Sequence, residues 1–156
     1  MVSGYPKIMQ KKTKRSARWV KLKPIKVSKY AGVHLLADFW SGRIIEDPKK
    51  LEKILIEAAK KAKNIPLEVT WHKFSPQGIT GVVLLAESHI ALHSWPEINY
   101  VGIDIFTCGE ETIPYKALEY FKKVFKPKRV EVKEIKRGLL PTRHPLTQST
   151  HPKEEK

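Results

Sequence analysis

Four apolar runs follow one another between Leu67 and Thr107: "LEVTWHKF", "ITGVVLLAES", "IALHSW" and "YVGIDIFT". Each alternates, or nearly alternates, apolar with polar side chains, which is the period of a strand with one buried face. Breakers separate them, "SPQG" at 75–78 and "PEIN" at 96–99, where Pro96 cannot donate to a ladder and marks a corner. Connections this short join antiparallel neighbours only, because a parallel partner needs a crossover of about a dozen residues. The centre of the chain is therefore an antiparallel meander, with Ile90 to Trp95 and Tyr100 to Thr107 as a hairpin.

The flanks supply what covers it. "YAGVHLLADFW", residues 30–40, reads as a first strand ending at the turn "SGR". Asp47 is placed to cap a helix with Pro48 at its first position, and Leu51, Ile54, Leu55, Ala58 and Ala62 form an apolar stripe to about Lys63. Pro114 opens a second helix with Leu118, Phe121, Val124 and Phe125 on its apolar side, and "KRVEVKEI" from Lys128 alternates as a last strand. The order β-α-β-β-β-β-α-β predicts an α+β fold, a two-layer sandwich whose mostly antiparallel β-sheet is covered on one face by helices. At 156 residues one domain is expected, spanning 30–140, with a basic N-terminal extension over 1–29. Pro and polar residues from Gly138 onward read as a loosening of the chain into a flexible tail, 141–156.

The net charge of +14 raises the question of nucleic acid. Ten Lys or Arg and no acid fall within residues 1–29, and a net +1 within 141–156, which leaves +3 for 30–140. The basic excess belongs to the arm and reads as a solvated extension; a non-enzymatic protein binding RNA through that arm is the alternative of another class. No apolar run approaches the roughly 18 residues that cross a bilayer, and the N-terminus lacks a signal peptide's apolar segment, so a cytoplasmic location without membrane contact is expected. The single cysteine, Cys108, excludes an internal disulfide and fits a reducing compartment. His34, His72, His89, His93 and Cys108 show no CxxC or HxxxH spacing, and no metal site is expected.

Polar residues inside the meander require a reason. "LLAESHIALHSWPE", residues 84–97, sets Glu87, Ser88, His89 and His93 in an apolar stretch. A corner centred between Glu97 and Ile98 puts Ser88 opposite Thr107 and beside Cys108. Cross-strand neighbours stand ~5 Å apart, which offers a hydroxyl and a thiol to one small ligand. His93 lies five residues from Ser88, so in a regular strand the two side chains leave opposite faces, and cooperation needs a bend, bulge or break near Ser88. Framework roles compete with chemistry here: a strand Ser or His is commonly a hydrogen-bonded framework group, and a buried free Cys a small hydrophobe. A Ser-His-Asp hydrolase lacks its G-x-S-x-G elbow, and Asp104 has no evident claim on His93.

"AESHIALHSWPE" followed by "GIDIFTCG", with "GVHLLADFW" and "FSPQGITGVV" upstream, resembles the self-processing pyruvoyl-dependent S-adenosylmethionine decarboxylases in their small prokaryotic form, over roughly Tyr30 to Ile135. The resemblance implies cleavage between Glu87 and Ser88 into 1–87 and 88–156. In that chemistry the Ser88 hydroxyl attacks the Glu87 carbonyl and an ester replaces the amide. Loss of the Ser88 α-proton then expels the Glu87 carboxylate, and the dehydroalanine left behind hydrolyses to a covalent pyruvoyl group, the implied cofactor. It further implies that His93 assists the elimination, that Thr80, at a position where many relatives carry serine, helps the acyl shift, and that Cys108 returns a proton to the substrate once carbon dioxide has left. Phe74 matches the position that stacks on adenine and Glu97 the carboxylate that holds the ribose hydroxyls. The implied substrate is S-adenosylmethionine, the product an aminopropyl donor for spermidine, and the assembly a homodimer of cleaved protomers. An arginine decarboxylase of the same family is the nearest rival, disfavoured by "FSPQGITG".

Overall fold

The computed structural model describes residues 29–140; the expectations for the basic arm and for the tail from 141 concern residues outside that range. Six strands and two helices follow in the expected order: β1 (Tyr30–Trp40), α1 (Pro48–Lys61), β2 (Pro66–Lys73), β3 (Ile79–Leu85), β4 (Ser88–Trp95), β5 (Tyr100–Cys108), α2 (Pro114–Phe125) and β6 (Arg129–Leu139). A single 3-10 turn, Pro96–Ile98, makes the β4–β5 corner, and Asn99 takes the left-handed conformation that closes it. Every pairing is antiparallel, in the spatial order β2-β3-β4-β5-β1-β6.

Period two sorts the side chains. Leu35 and Phe39 of β1, Val83 of β3, Ile90 and Leu92 of β4 and Ile105 of β5 turn to one side, where the stripes of α1 and α2 close over them. Asp47 accepts from Lys50 N at 3.0 Å with Pro48 behind it, so α1 begins where its capping chemistry places it. Gly81 lets α1 approach the sheet, since a Cβ there would stand 2.7 Å from Leu51 Cδ2. Both helices sit on this side; on the other, Trp40, Tyr100 and Trp95 stack with ring centroids 4.5 and 5.2 Å apart, and no described helix lies over them.

Two boundaries differ from the sequence reading. β3 stops at Leu85 and does not run on to Ser88, because Ala86 and Glu87 form a tight turn and Ser88 opens β4. β6 continues past Gly138, which lies inside the strand with φ 66°, and Leu139 still pairs with Tyr30. Leu55→Ala is expected to lower stability by about 2–5 kcal/mol in urea unfolding, whereas Val132→Ala on the exposed β6 changes it by less than about 1 kcal/mol.

Candidate active site

Leu85 pairs with Ser88, so Ala86 and Glu87 are a two-residue loop. Loops of this length follow the strand twist when a central residue has positive φ. Neither Ala86 nor Glu87 has one; the positive value, 148°, falls on Ser88. A non-glycine residue held there stores roughly 1–3 kcal/mol of strain, which the surroundings must over-determine. Ala86 N donates to Ile65 O at 3.0 Å, Ile65 N donates to Glu87 Oε2 at 2.9 Å, and Glu87 O accepts from Cys108 N at 3.1 Å and from Cys108 Sγ at 2.6 Å. The Glu87–Ser88 peptide is thus clamped from two distant parts of the chain.

Two donors on one carbonyl oxygen polarise it and stand ready for the negative charge of a tetrahedral adduct. Burial, then the nearby Glu87 carboxylate, push the Cys108 thiol above its ordinary pKa against an opposing backbone hydrogen bond, so the sulfur keeps its proton at neutral pH and donates. The geometry of β5 supports this position. Ser88 faces Thr107 in the register that the corner residues predict. Gly32 of β1 lies opposite Cys108, and a Cβ on it would come 2.6 Å from Thr107 O, so only glycine admits this approach. Beyond Cys108, Thr107 Oγ1 and Thr112 Oγ1 are 3.1 Å apart, and Thr112 donates to Gly109 O at 3.0 Å.

A second group forms elsewhere. Thr80 pairs across β3 and β4 with His93, and Thr80 Oγ1 lies 2.9 Å from His93 Nδ1. Gln77 Nε2 donates to Glu97 Oε2 at 3.3 Å, tying the β2–β3 loop to the β4–β5 corner, while the half-exposed Phe74 packs edge-on to His72 at 4.8 Å. Ser94 is a framework group: its hydroxyl accepts from Ile79 N and donates to Ile79 O.

The candidate residues therefore fall at opposite ends of β4. Glu87, Ser88 and Cys108 sit at its start, and Thr80, His93, Phe74 and Glu97 toward its finish. At a rise of ~3.3 Å per residue, His93 is roughly 16 Å from Ser88. The chain does break its strand at residues 86–87, yet β4 is regular from Ser88 onward, so the break does not join His93 to Ser88. Ser88 Oγ lies instead 3.3 Å from His89 Nδ1, a residue for which no role is legible in the sequence. Asp104 stands near His34, with Oδ1 3.4 Å from Nε2. Among the described residues, no group of three or more His, Cys, Asp or Glu is arranged to hold a metal ion, and no helix is long and apolar enough to cross a membrane.

The family model for S-adenosylmethionine decarboxylase matches residues 33–138, which contain every residue named in both groups. The chain belongs to that family. A relative named S-adenosylmethionine decarboxylase proenzyme from Moorella thermoacetica is 46% identical over 111 residues, covering 70% of this chain and 89% of the relative. One of the same name from Methanococcus maripaludis (strain C5) is 40% identical over 114 residues, 72% of this chain and 93% of its own length. The crystal structure of the adenosylmethionine decarboxylase from Aquifex aeolicus superposes with a TM-score of 0.69 at 34% identity, covering 75% of this chain and 98% of that one. A decarboxylase-family fold with this turn makes two measurable differences. Ser88→Gly should be more stable than Ser88→Ala by on the order of 1 kcal/mol in urea, because glycine relieves the positive φ. In the Ser88→Ala chain, iodoacetamide should alkylate Cys108 at pH 8 at least about tenfold more slowly than free cysteine.

Proposed function

We propose that the chain is a proenzyme that cuts itself between Glu87 and Ser88 and then decarboxylates S-adenosylmethionine. The observation that carries the reading is the Glu87 carbonyl, held by two Cys108 donors beside a serine in a strained conformation. Attack by Ser88 Oγ on that carbonyl moves charge onto the oxygen those donors hold, which lowers the barrier to the acyl shift, and breaking the peptide releases the Ser88 strain, which favours its product side. Ser88 fits the precursor of a pyruvoyl group for the same reason: hydroxyl, activated carbonyl and thiol meet at one bond. Such a group supplies an electron sink for the decarboxylation of a bound amino acid. Cys108 Sγ, protonated at neutral pH, is suited to hand a proton to the substrate carbon after carbon dioxide leaves. The relatives' names support S-adenosylmethionine over arginine, and an enzyme over an RNA-binding protein. The catalytic unit in this reading is 30–140, working in the cytoplasm, with arm and tail outside it.

The separation of the two groups along β4 supports a homodimer. Within one chain, Thr80, His93, Phe74 and Glu97 lie too far along the sheet from Ser88 and Cys108 to close round one small ligand. The face of the sheet that no described helix covers offers a surface on which the two groups can meet. A second protomer packed face to face about a two-fold axis brings its own Thr80, His93, Phe74 and Glu97 over Ser88 and Cys108. There His93 reaches the Ser88 α-proton, Thr80 fixes the imidazole tautomer, Phe74 offers a face to adenine and Glu97 accepts from the ribose hydroxyls.

Denaturing mass spectrometry should find two fragments, 1–87 and 88–156, the second with a blocked amino end, and one intact chain in Ser88→Ala. Purified protein should release carbon dioxide from S-adenosylmethionine; release from arginine alone would sink the substrate assignment. Co-expression of Ser88→Ala with His93→Ala should restore cleavage of the His93→Ala chain, because the mixed dimer contains one complete site. Cleavage absent from the mixture but present in the wild type rules out sharing of the site between protomers.

A further inference from the structure

Neighbouring side chains of a regular strand leave opposite faces. Ser88 and His89 escape this rule, because the positive φ of Ser88 turns its hydroxyl to within 3.3 Å of His89 Nδ1. On the other side of the same residue, Glu87 O is held by Cys108 N and Sγ. A hydroxyl, an electrophilic carbonyl, two oxyanion donors and an imidazole thus surround one peptide bond. Among the described residues, the His89 ring is the titratable side chain within hydrogen-bond reach of Ser88 Oγ.

We propose that His89 is the general base of the first processing step, taking the proton from Ser88 Oγ as it attacks the Glu87 carbonyl. The proposal rests on the self-cleavage reading above. The Oγ–H bond breaks and its proton passes to Nδ1 while the Oγ–C bond forms and negative charge collects on Glu87 O beneath the Cys108 donors. The imidazolium then returns the proton to Ser88 N as the C–N bond breaks, leaving an ester, a free amine and a neutral ring. No outside reagent enters.

The surroundings keep the ring able to accept. His34 of β1 meets it edge-on with centroids 6.2 Å apart, Phe106 of β5 packs at 5.9 Å, and Arg137 of β6 lies over Phe106 at 4.7 Å. Burial first, then His34, lower the His89 pKa from its ordinary value; Asp104 opposes them and Arg137 adds to them. A lowered value keeps the imidazole neutral at pH 7, as a base must be. His34 Nε2 is buried and 3.4 Å from Asp104 Oδ1, without the alignment of a hydrogen bond. His34 and Asp104 are positioning residues in this scheme, acting on Ser88 through the His89 ring.

The test follows newly synthesised full-length chains by intact mass, with hydroxylamine to split any ester between residues 87 and 88. Wild type should cleave. His89→Ala should cleave at least about 10²-fold more slowly, stay resistant to hydroxylamine because no ester forms, and recover in added imidazole. His93→Ala, which stops at the later elimination, should stay intact but be split by hydroxylamine. His89→Gln, with hydrogen-bonding reach but no basicity, should match His89→Ala in rate at an unchanged melting temperature. Asp104→Asn should move the acid limb of the wild-type processing rate to lower pH, a shift that a merely structural role does not produce. Wild-type cleavage in either His89 variant, or a hydroxylamine-labile ester accumulating in it, overturns the proposal and leaves self-cleavage standing. A wild-type chain that never cleaves overturns both.

Discussion

The hydrogen bonds from Cys108 to the Glu87 carbonyl join the last residue of β5 to the loop before β4, and the geometry around the Glu87–Ser88 peptide follows from them. The sheet already brings the two residues together, since β4 and β5 pair along their full length. The bonds then fix the orientation of a peptide that would otherwise relax away from the positive φ at Ser88. Strain held in this way needs a rigid frame. The central position of β3, β4 and β5 in the sheet, with α1 and α2 over their apolar faces, supplies it. Gly32 contributes from the next strand by leaving out a side chain that would push Thr107 and Cys108 away.

The face of the sheet that no described helix covers is the second organising constraint. It carries the Trp40, Tyr100 and Trp95 stack and the His34, Asp104 and His89 group, which sit above the helix-covered core at different heights along the strands. Tyr100 donates to Asp38 at 2.5 Å, and burial, ahead of that bond and the carboxylate's charge, pushes its pKa up to about 12. Such a face is partly polar and partly aromatic, which suits contact with another protein surface better than permanent burial in a core.

Much of this was legible in the sequence, and the residues show why. Pro96 fixed the β4–β5 corner, and with it the pairing of Ser88 with Thr107, because a residue without an amide proton can occupy few places in a ladder. Asp47 and Pro48 marked the start of α1 by capping chemistry that acts locally. The β3–β4 turn left no such mark. "LLAESHI" has no Gly, Pro or Asn, and the positive φ that turn residues usually announce is borne by Ser88 itself. Gly138 misled in the opposite sense: its glycine reads as an ending, while pairing with β1 across more than a hundred residues of sequence carries β6 through it. The approach of His34 to Asp104 and His89 is likewise non-local, a product of strand order that no spacing rule contains.

Strand order has one more consequence. A cut after Glu87 assigns β1, α1, β2 and β3 to one piece and β4, β5, α2 and β6 to the other, and the spatial order β2-β3-β4-β5-β1-β6 shuffles the two like cards. Three of the five ladders, β3 with β4, β5 with β1 and β1 with β6, then run between different polypeptides. An uncut protomer loses its fold as one polypeptide. After such a cut, unfolding also separates two fragments, so each protomer yields two polypeptides and the midpoint gains a dependence on fragment concentration. In the proposed processed form the covalent link has served only to assemble the sheet, and losing the sheet becomes a separation of fragments.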